Sequence, residues 1–139
     1  MTNTREMLDA SPTGVPAGAP QVAAAIDACL DCLQSCTSCA DADLAEENVG
    51  DLSACIALCV TCADVCDVMA RVLSRPASWD SIVVHRLLQA CVRTCTSCAE
   101  ECGRHAAHHR HCAICEQVCR TCIDACTSLL DAEAFAELH

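Results

Sequence analysis

The sequence predicts an all-α fold, an antiparallel up-down-up-down four-helix bundle with a cysteine-lined core. The cysteines fall into four segments. Within each segment, a cysteine and the next cysteine but one are seven residues apart, which is the spacing of positions that face the partner helices in a bundle. Short polar stretches or stretches with Pro and Gly separate the segments, and short connections favour antiparallel neighbours. The four segments contain Cys29, Cys32, Cys36, Cys39; Cys55, Cys59, Cys62, Cys66; Cys91, Cys95, Cys98, Cys102; and Cys112, Cys115, Cys119, Cys122, Cys126.

The chain divides into an N-terminal segment, residues 1–20, and a cysteine-rich bundle, residues 21–139. The first segment is rich in Pro, Gly and Ala and is predicted to be flexible, although TREMLDA is long enough for one or two helical turns. Breaks between the helices are expected in ADADLAEENVGD at 40–51, SRPASWD at 74–80 and GRHAAHHRH at 103–111. In the second break, Ser78 is expected to cap the third bundle helix.

Composition excludes several classes of function. A net charge of −11 and the lack of a basic patch argue against nucleic-acid binding. No uninterrupted apolar run reaches the roughly 18 residues of a membrane span, and the first 20 residues lack the apolar stretch of a signal peptide. We therefore expect a cytosolic protein without membrane partners, in a compartment where thiols stay reduced.

The 17 cysteines are not predicted to form disulfides. Their number is odd, and helical neighbours at i, i+3 or i, i+4 have Cβ atoms about 5–6 Å apart, whereas a disulfide needs about 3.5–4.5 Å. Cysteine can also serve as a small core hydrophobe, but packing alone does not explain so many on inward positions. Metal binding does. Catalytic thiols need exposure and a lowered pKa, so interior cysteines in mid-helix do not indicate an enzyme.

Thiolates are soft ligands that select Cu(I), Zn(II) or iron–sulfur clusters. Iron–sulfur proteins use loop motifs that are absent here, and zinc usually takes four ligands from loops. Cu(I) accepts fewer ligands, so an i, i+4 pair could hold one ion, and bridging sulfurs would equalise ions and thiolates in a neutral core. A zinc or mixed-metal thiolate buffer remains the alternative. The candidate pairs are Cys32/Cys36, Cys55/Cys59, Cys62/Cys66, Cys91/Cys95, Cys98/Cys102, Cys115/Cys119 and Cys122/Cys126.

The helical spacings C-x3-C-x2-C-x3-C and C-x2-C-x3-C-x2-C, with a histidine cluster before the fourth bundle helix, resemble the bacterial copper storage proteins. The resemblance covers about residues 22–130. Within the family, the chain is most similar to the cytosolic branch, which lacks an export signal. It implies a four-helix bundle, usually a homotetramer, that holds many Cu(I) ions inside each chain. It identifies no copper chaperone as the donor.

The two ends of the predicted bundle differ. Extended one way, the cysteine faces meet a hydrophobic plug of Val22, Ile26, Met69, Leu73, Val84, Leu87, Leu88 and Leu130. Extended the other way, they meet Asp43, Asn48, Asp51, His105, His108 and His109, which predicts an open mouth. Imidazole can receive copper and pass it to thiolates. His105, His109 and His111 are therefore predicted ligands with the cysteines, whereas His85 and His139 are expected to be surface residues.

Overall fold

The computed structural model describes residues 2–132 and 134–135, and this part of the chain is helical without a strand. Four long helices form the bundle, which confirms the predicted all-α fold. Single 3₁₀ turns, Val49–Leu52 and Pro76–Ser78, lie in the first two connections. The helices are α1 (Thr4–Asp9), α2 (Ala19–Leu44), α3 (Ser53–Leu73), α4 (Ser81–His105) and α5 (Arg110–Leu130).

The bundle helices are arranged in a ring in which each packs on the next and α5 packs back on α2. Contacts between sulfurs give the relative directions. Cys29 near the start of α2 lies 3.9 Å from Cys126 near the end of α5, measured between Sγ atoms. At the other end of α2, Cys39 lies 3.9 Å from Cys112 in the first turn of α5. Helices α2 and α5 are therefore antiparallel. Contacts of Cys55 with Cys102 at 3.8 Å and of Cys66 with Cys91 at 4.0 Å show the same for α3 and α4, as the short connections predicted.

The N-terminal segment packs on the bundle through α1. The Thr4 hydroxyl donates a hydrogen bond to Asp27 Oδ1 at 2.6 Å, and the Leu8 side chain is buried against the core. Helix α2 begins after a Gly18 with φ of 87°, a backbone angle in the left-handed region that favours glycine. Pro20 stands in the first turn, where its missing N–H has no helical partner to lose.

The start of α4 differs from the sequence prediction. Asp80 caps this helix, because its carboxylate accepts hydrogen bonds from the backbone N–H groups of Ile82 and Val83 at 3.0 and 3.2 Å. The prediction that Ser78 caps this helix is wrong. Ser78 ends a 3₁₀ turn, and Trp79 has an extended backbone, so the N-cap lies two residues later, at Asp80.

Hydrophobic side chains close the end of the bundle that holds Cys29 and Cys126. The predicted plug is present: most of its residues are buried, and Leu87 and Leu130 pack partly buried against it. Phe135, 1% exposed, lies on this plug with its ring centroid 6.1 Å from that of Trp79 and 6.2 Å from that of His85. The predicted surface position of His85 is thus wrong, because Phe135 covers it. His139 lies outside the described residues.

One helical segment, Val49–Leu73, has the length and mean hydropathy (1.9) of a membrane span, although the sequence was not expected to contain one. Four cysteines account for much of this apolar character, and all four face the bundle core. The segment therefore has a packed, interior face within the fold.

We predict that Leu88→Ala destabilises the empty protein without reducing its metal capacity. Leu88 is fully buried in the plug, so truncation should lower the free energy of unfolding by about 2–5 kcal/mol. Denaturant unfolding of the reduced protein, followed by far-UV circular dichroism, measures this loss. Val83→Ala, at a half-exposed position of the same helix, is the control and should change stability by less than about 0.5 kcal/mol. Equal effects of the two substitutions would contradict a packed plug.

Candidate metal centre

All 17 cysteines are free thiols in the interior, each with at most 1% of its surface exposed. Heptad spacing places them on the face that each helix turns inward. Because cysteine is small and large aromatic side chains are absent from the middle of the bundle, sulfur occupies the space between the helices. The core is therefore a continuous column of thiols.

Most of the close sulfur contacts join different helices. Cys62 and Cys95 have Sγ atoms 3.6 Å apart across α3 and α4. Two of the predicted pairs within one helix are also close, Cys32/Cys36 at 3.8 Å and Cys98/Cys102 at 4.0 Å. A metal ion in the core would thus meet sulfurs from neighbouring helices as readily as an i, i+4 pair.

The sulfurs form overlapping groups of four along the bundle axis. In each group all four Sγ atoms lie within 4.8 Å of one another. Neighbouring groups share one or two cysteines, so the groups form a continuous series of sulfur ligands. Five of these groups are Cys29/Cys66/Cys91/Cys122, Cys32/Cys66/Cys95/Cys122, Cys32/Cys36/Cys62/Cys119, Cys36/Cys98/Cys115/Cys119 and Cys39/Cys59/Cys102/Cys115.

Burial favours the protonated thiol in the empty core. Desolvation raises the pKa of Cys112 above the ordinary thiol value, and the charges of Cys55 and Asp43 raise it further. At the closed end, contacts with Cys122 and Cys29 raise the pKa of Cys126, with burial acting in the same direction. Neutral thiols pack as small hydrophobes, so the empty bundle needs no metal to balance charge.

The mouth contains a histidine in direct contact with thiols. His111 Nδ1 lies 3.4 Å from Cys39 Sγ and 3.6 Å from Cys112 Sγ. The other ring nitrogen, Nε2, lies 3.1 Å from Glu46 Oε2. Since the side chain is 26% exposed, His111 connects solvent with the first thiols of the column.

Asp43 is a buried acid beside the same thiols. The Cys112 thiol donates to Asp43 Oδ1 at 3.6 Å, whereas Oδ2 has no hydrogen-bond partner within the described residues. Desolvation raises the pKa of Asp43 to about 7, and the neighbouring Cys55 adds to the rise. An oxygen acceptor is therefore available next to the outermost sulfurs.

The other predicted mouth residues divide into two sets. His109 precedes α5 as its N-cap residue, stacks on His111 with ring centroids 5.5 Å apart and contacts Glu46. His105 lies in the last turn of α4, where its Nε2 is 2.8 Å from Glu101 Oε2. Asn48, Asp51 and His108 are exposed. His108 precedes α5, and the structure does not bring these three residues to the thiols, although all three were predicted at the mouth.

Sequence reasoning missed two acids at the mouth, Glu46 and Glu101. Glu46 lies seven residues after Cys39, so the heptad spacing could have identified it although α2 ends at Leu44. Glu101 directly precedes Cys102 and is off the cysteine face, so no spacing indicated that it would be buried at 8% exposure.

The comparisons with known proteins agree with this geometry. A model of the copper storage protein family matches residues 19–131. This chain belongs to the copper storage protein family. A solved structure of the Streptomyces lividans copper storage protein Ccsp, loaded with 10 copper equivalents, is 42% identical with a TM-score of 0.88, covering 93% of this chain and 98% of that one.

Two further relatives extend the comparison. A structure described as copper loading to a cytosolic copper storage protein from Streptomyces lividans, with five coppers, is 48% identical with a TM-score of 0.79, covering 80% of this chain and 92% of that one. An uncharacterized cysteine-rich protein of Bacillus subtilis, YhjQ, is 35% identical over 97 residues, which cover 70% of this chain and 84% of that protein. Family membership confirms the interpretation as a metal-storage protein rather than an enzyme, with copper as its cargo.

We predict that Cys36→Ala lowers the Cu(I) capacity of the chain by about one ion, by the bridging count in which ions and thiolates are equal in number. Cys36 belongs to two of the four-sulfur groups, so the loss should fall in the middle of the column. Thr37→Ala, which alters the exposed neighbouring residue, should leave capacity unchanged. Anaerobic titration against a Cu(I) chelator checks both. An unchanged capacity in Cys36→Ala would mean that this sulfur is only packing.

Proposed function

We propose that this chain stores Cu(I) in the cytosol, binding many ions through the thiolates of a bundle that is already folded when empty. The observation that carries the proposal is the unbroken series of four-sulfur groups from the closed end to the mouth. A transfer protein needs only a few accessible thiols, whereas a column of buried ones provides capacity. The neighbouring structure described as cytosolic supports the proposed compartment.

The charge balance of the core favours Cu(I). Each Cu⁺ that displaces one thiol proton leaves the core uncharged, so 17 thiolates can hold about as many Cu⁺ ions without net charge. Loading then releases protons and depends on pH. The four-sulfur groups provide the bridging sulfurs that such a filling requires.

Zinc is the alternative metal, because Zn(II) binds four thiolates in a tetrahedron and the core contains groups of four sulfurs. A zinc ion held by four thiolates of its own leaves a charge of −2, because four thiolates outweigh one divalent ion. Groups that share one or two thiolates carry less charge per zinc but remain negative, and uncompensated charge in an apolar interior is costly. Charge therefore supports a Cu(I) store over a zinc buffer.

The proposed metal ligands are the 17 cysteines and the mouth histidines His105, His109 and His111. His111 has the strongest support, because its Nδ1 already contacts Cys39 and Cys112. His109 can follow through its stacking on His111, and His105 would first have to leave Glu101. We propose that Cu(I) passes from His111 to these two thiols, beside the unpartnered oxygen of Asp43.

We also propose a homo-oligomer, a tetramer by the family resemblance. Large apolar side chains on the outer faces of α3 and α4 support this, among them Val60 at 49%, Val68 at 48% and Ile82 at 60% exposure. The net charge of −11 argues against a nucleic-acid partner.

The stored amount is the first expected outcome. An anaerobic titration of reduced protein with Cu(I), in competition with a chelator, should saturate near one ion per cysteine, or about 17, on the soft-ligand bridging argument. Far-UV circular dichroism should show unchanged helicity, because neutral thiols already pack the empty core. Saturation at a few ions, or tighter retention of Zn(II) than of Cu(I), would contradict the storage function.

The route of uptake is the second expected outcome. His111→Ala should slow Cu(I) uptake several-fold while sparing most of the capacity, because it removes the only imidazole that the described contacts place against thiols. His108→Ala is the matched control, since His108 lies in the same connection but is exposed. Stopped-flow mixing with a coloured Cu(I)–chelator complex measures the rate. Equal rates in the two variants and the native protein would rule out a histidine opening.

A further inference from the structure

The column of thiols ends, on the side away from the mouth, at one cysteine of each bundle helix: Cys29, Cys66, Cys91 and Cys126. Their sulfurs lie close together across the helices. Cys29 Sγ is 3.9 Å from Cys126 Sγ, and Cys66 Sγ is 4.0 Å from Cys91 Sγ. These thiols have sulfur neighbours toward the mouth and the hydrophobic plug on their other side, so they form the last layer of ligands that the cysteines provide.

The plug begins one step of the heptad pattern beyond these cysteines. The inward positions at this step are Ala25 on α2, Met69 on α3, Leu88 on α4 and Leu129 on α5. Each of the four side chains is at most 1% exposed. Three of them are hydrocarbon, whereas Met69 has a thioether sulfur. The first layer of the plug therefore contains a soft donor atom next to the last thiols.

Met69 is a neighbour of the last thiol on its own helix. It follows Cys66 by three residues, and side chains with this spacing on a helix have Cβ atoms about 5–6 Å apart. Met69 also lines a groove of about 250 Å³ with Leu87 and Ala90 of α4. It therefore lies between α3 and α4, the two helices that hold Cys66 and Cys91. The open groove and the three rotatable bonds of methionine allow the sulfur to turn toward those thiols.

Packing alone does not require a methionine at this position. Leucine fills the corresponding positions of α4 and α5, and an exchange of Met for Leu conserves volume. Of the three methionines in the chain, Met7 is 70% exposed and Met1 lies outside the described residues. The methionine that the structure places inside the bundle is thus the one beside the thiols, and a thioether is a soft ligand suited to Cu(I).

A Cu(I) ion in the last layer of thiols has cysteine sulfurs on its mouth side only. Within the column each thiolate can bridge two ions, because groups of four sulfurs follow one another along the axis. Beyond Cys66 and Cys91 that series stops. A thioether is neutral and has no proton to lose, so it adds a ligand to the terminal ion and leaves the balance between Cu⁺ and thiolate charges unchanged.

We propose that Met69 is a metal ligand, whose thioether binds the terminal Cu(I) ion at the closed end together with the thiolates of Cys66 and Cys91. This assignment rests on the proposed storage function and extends it from the cysteines to the first layer of the plug. The plug then does two things at Met69: it closes the column and it completes the coordination of the innermost ion.

The test observes the ligand directly. The protein is produced with selenomethionine in place of methionine, reduced, and loaded anaerobically with Cu(I) until a thiol reagent detects no free cysteine. X-ray absorption at the selenium edge then shows whether copper lies at bonding distance from selenium. Met7→Leu removes the exposed methionine and should keep the selenium–copper signal, whereas Met69→Leu should abolish it. Far-UV circular dichroism should show the same helicity in both variants, because the exchange conserves volume.

The second readout is the affinity for the stored copper, measured by anaerobic competition with a Cu(I) chelator. Met69→Leu should hold about one Cu(I) ion per chain at least about tenfold more weakly than the native protein, and Met7→Leu should hold all of its ions as the native protein does. A packing role for Met69 moves neither readout. Absence of a selenium–copper signal in Met7→Leu, or its persistence in Met69→Leu, would overturn the assignment.

The two possible failures are distinguishable. A chain that takes up only a few Cu(I) ions contradicts the storage function at the loading step, before selenium is measured. A chain that fills to about one ion per cysteine without copper next to selenium keeps the storage function and contradicts the role of Met69 alone.

Discussion

The rest of the structure depends on one constraint, that sulfur buried in an apolar interior must be electrically neutral. A thiol meets this condition with its proton and a thiolate meets it with Cu⁺, so the same core can be empty or full without a change of fold. Helices that present cysteine at heptad spacing then satisfy both states. Burial raises the pKa of thiols such as Cys112, which keeps protons in place until a soft cation replaces them.

The difference between the two ends of the bundle gives the column a direction. At one end Leu88 and Phe135 are buried in a hydrophobic plug that closes the column. At the other end His111 and Asp43 stand next to the outermost thiols. Among the described residues, the polar side chains in contact with the column therefore lie at the end that holds His111.

The sequence predicted the bundle and the inward cysteines because heptad spacing places residues on one face of a helix, whichever helices pack against that face. Features that depend on neighbours were beyond it. His85 was assigned to the surface, since nothing near it in sequence reveals that Phe135 returns to cover it. Sulfur pairs across helices, such as Cys62/Cys95, require the packed structure. Glu46 was accessible to the same spacing rule but lies beyond the helix end, where extrapolation of a helical face is unsafe.

At the mouth, the two nitrogens of one imidazole ring face ligand atoms of different softness. One nitrogen of His111 faces the sulfurs of Cys39 and Cys112 and the other faces the carboxylate of Glu46. A neutral imidazole has one proton and one lone pair to distribute between its nitrogens, so the ring cannot serve both sides as a simple ligand at once. The lone pair is therefore available either to the sulfur side or to the carboxylate side, and the position of the ring proton decides which side.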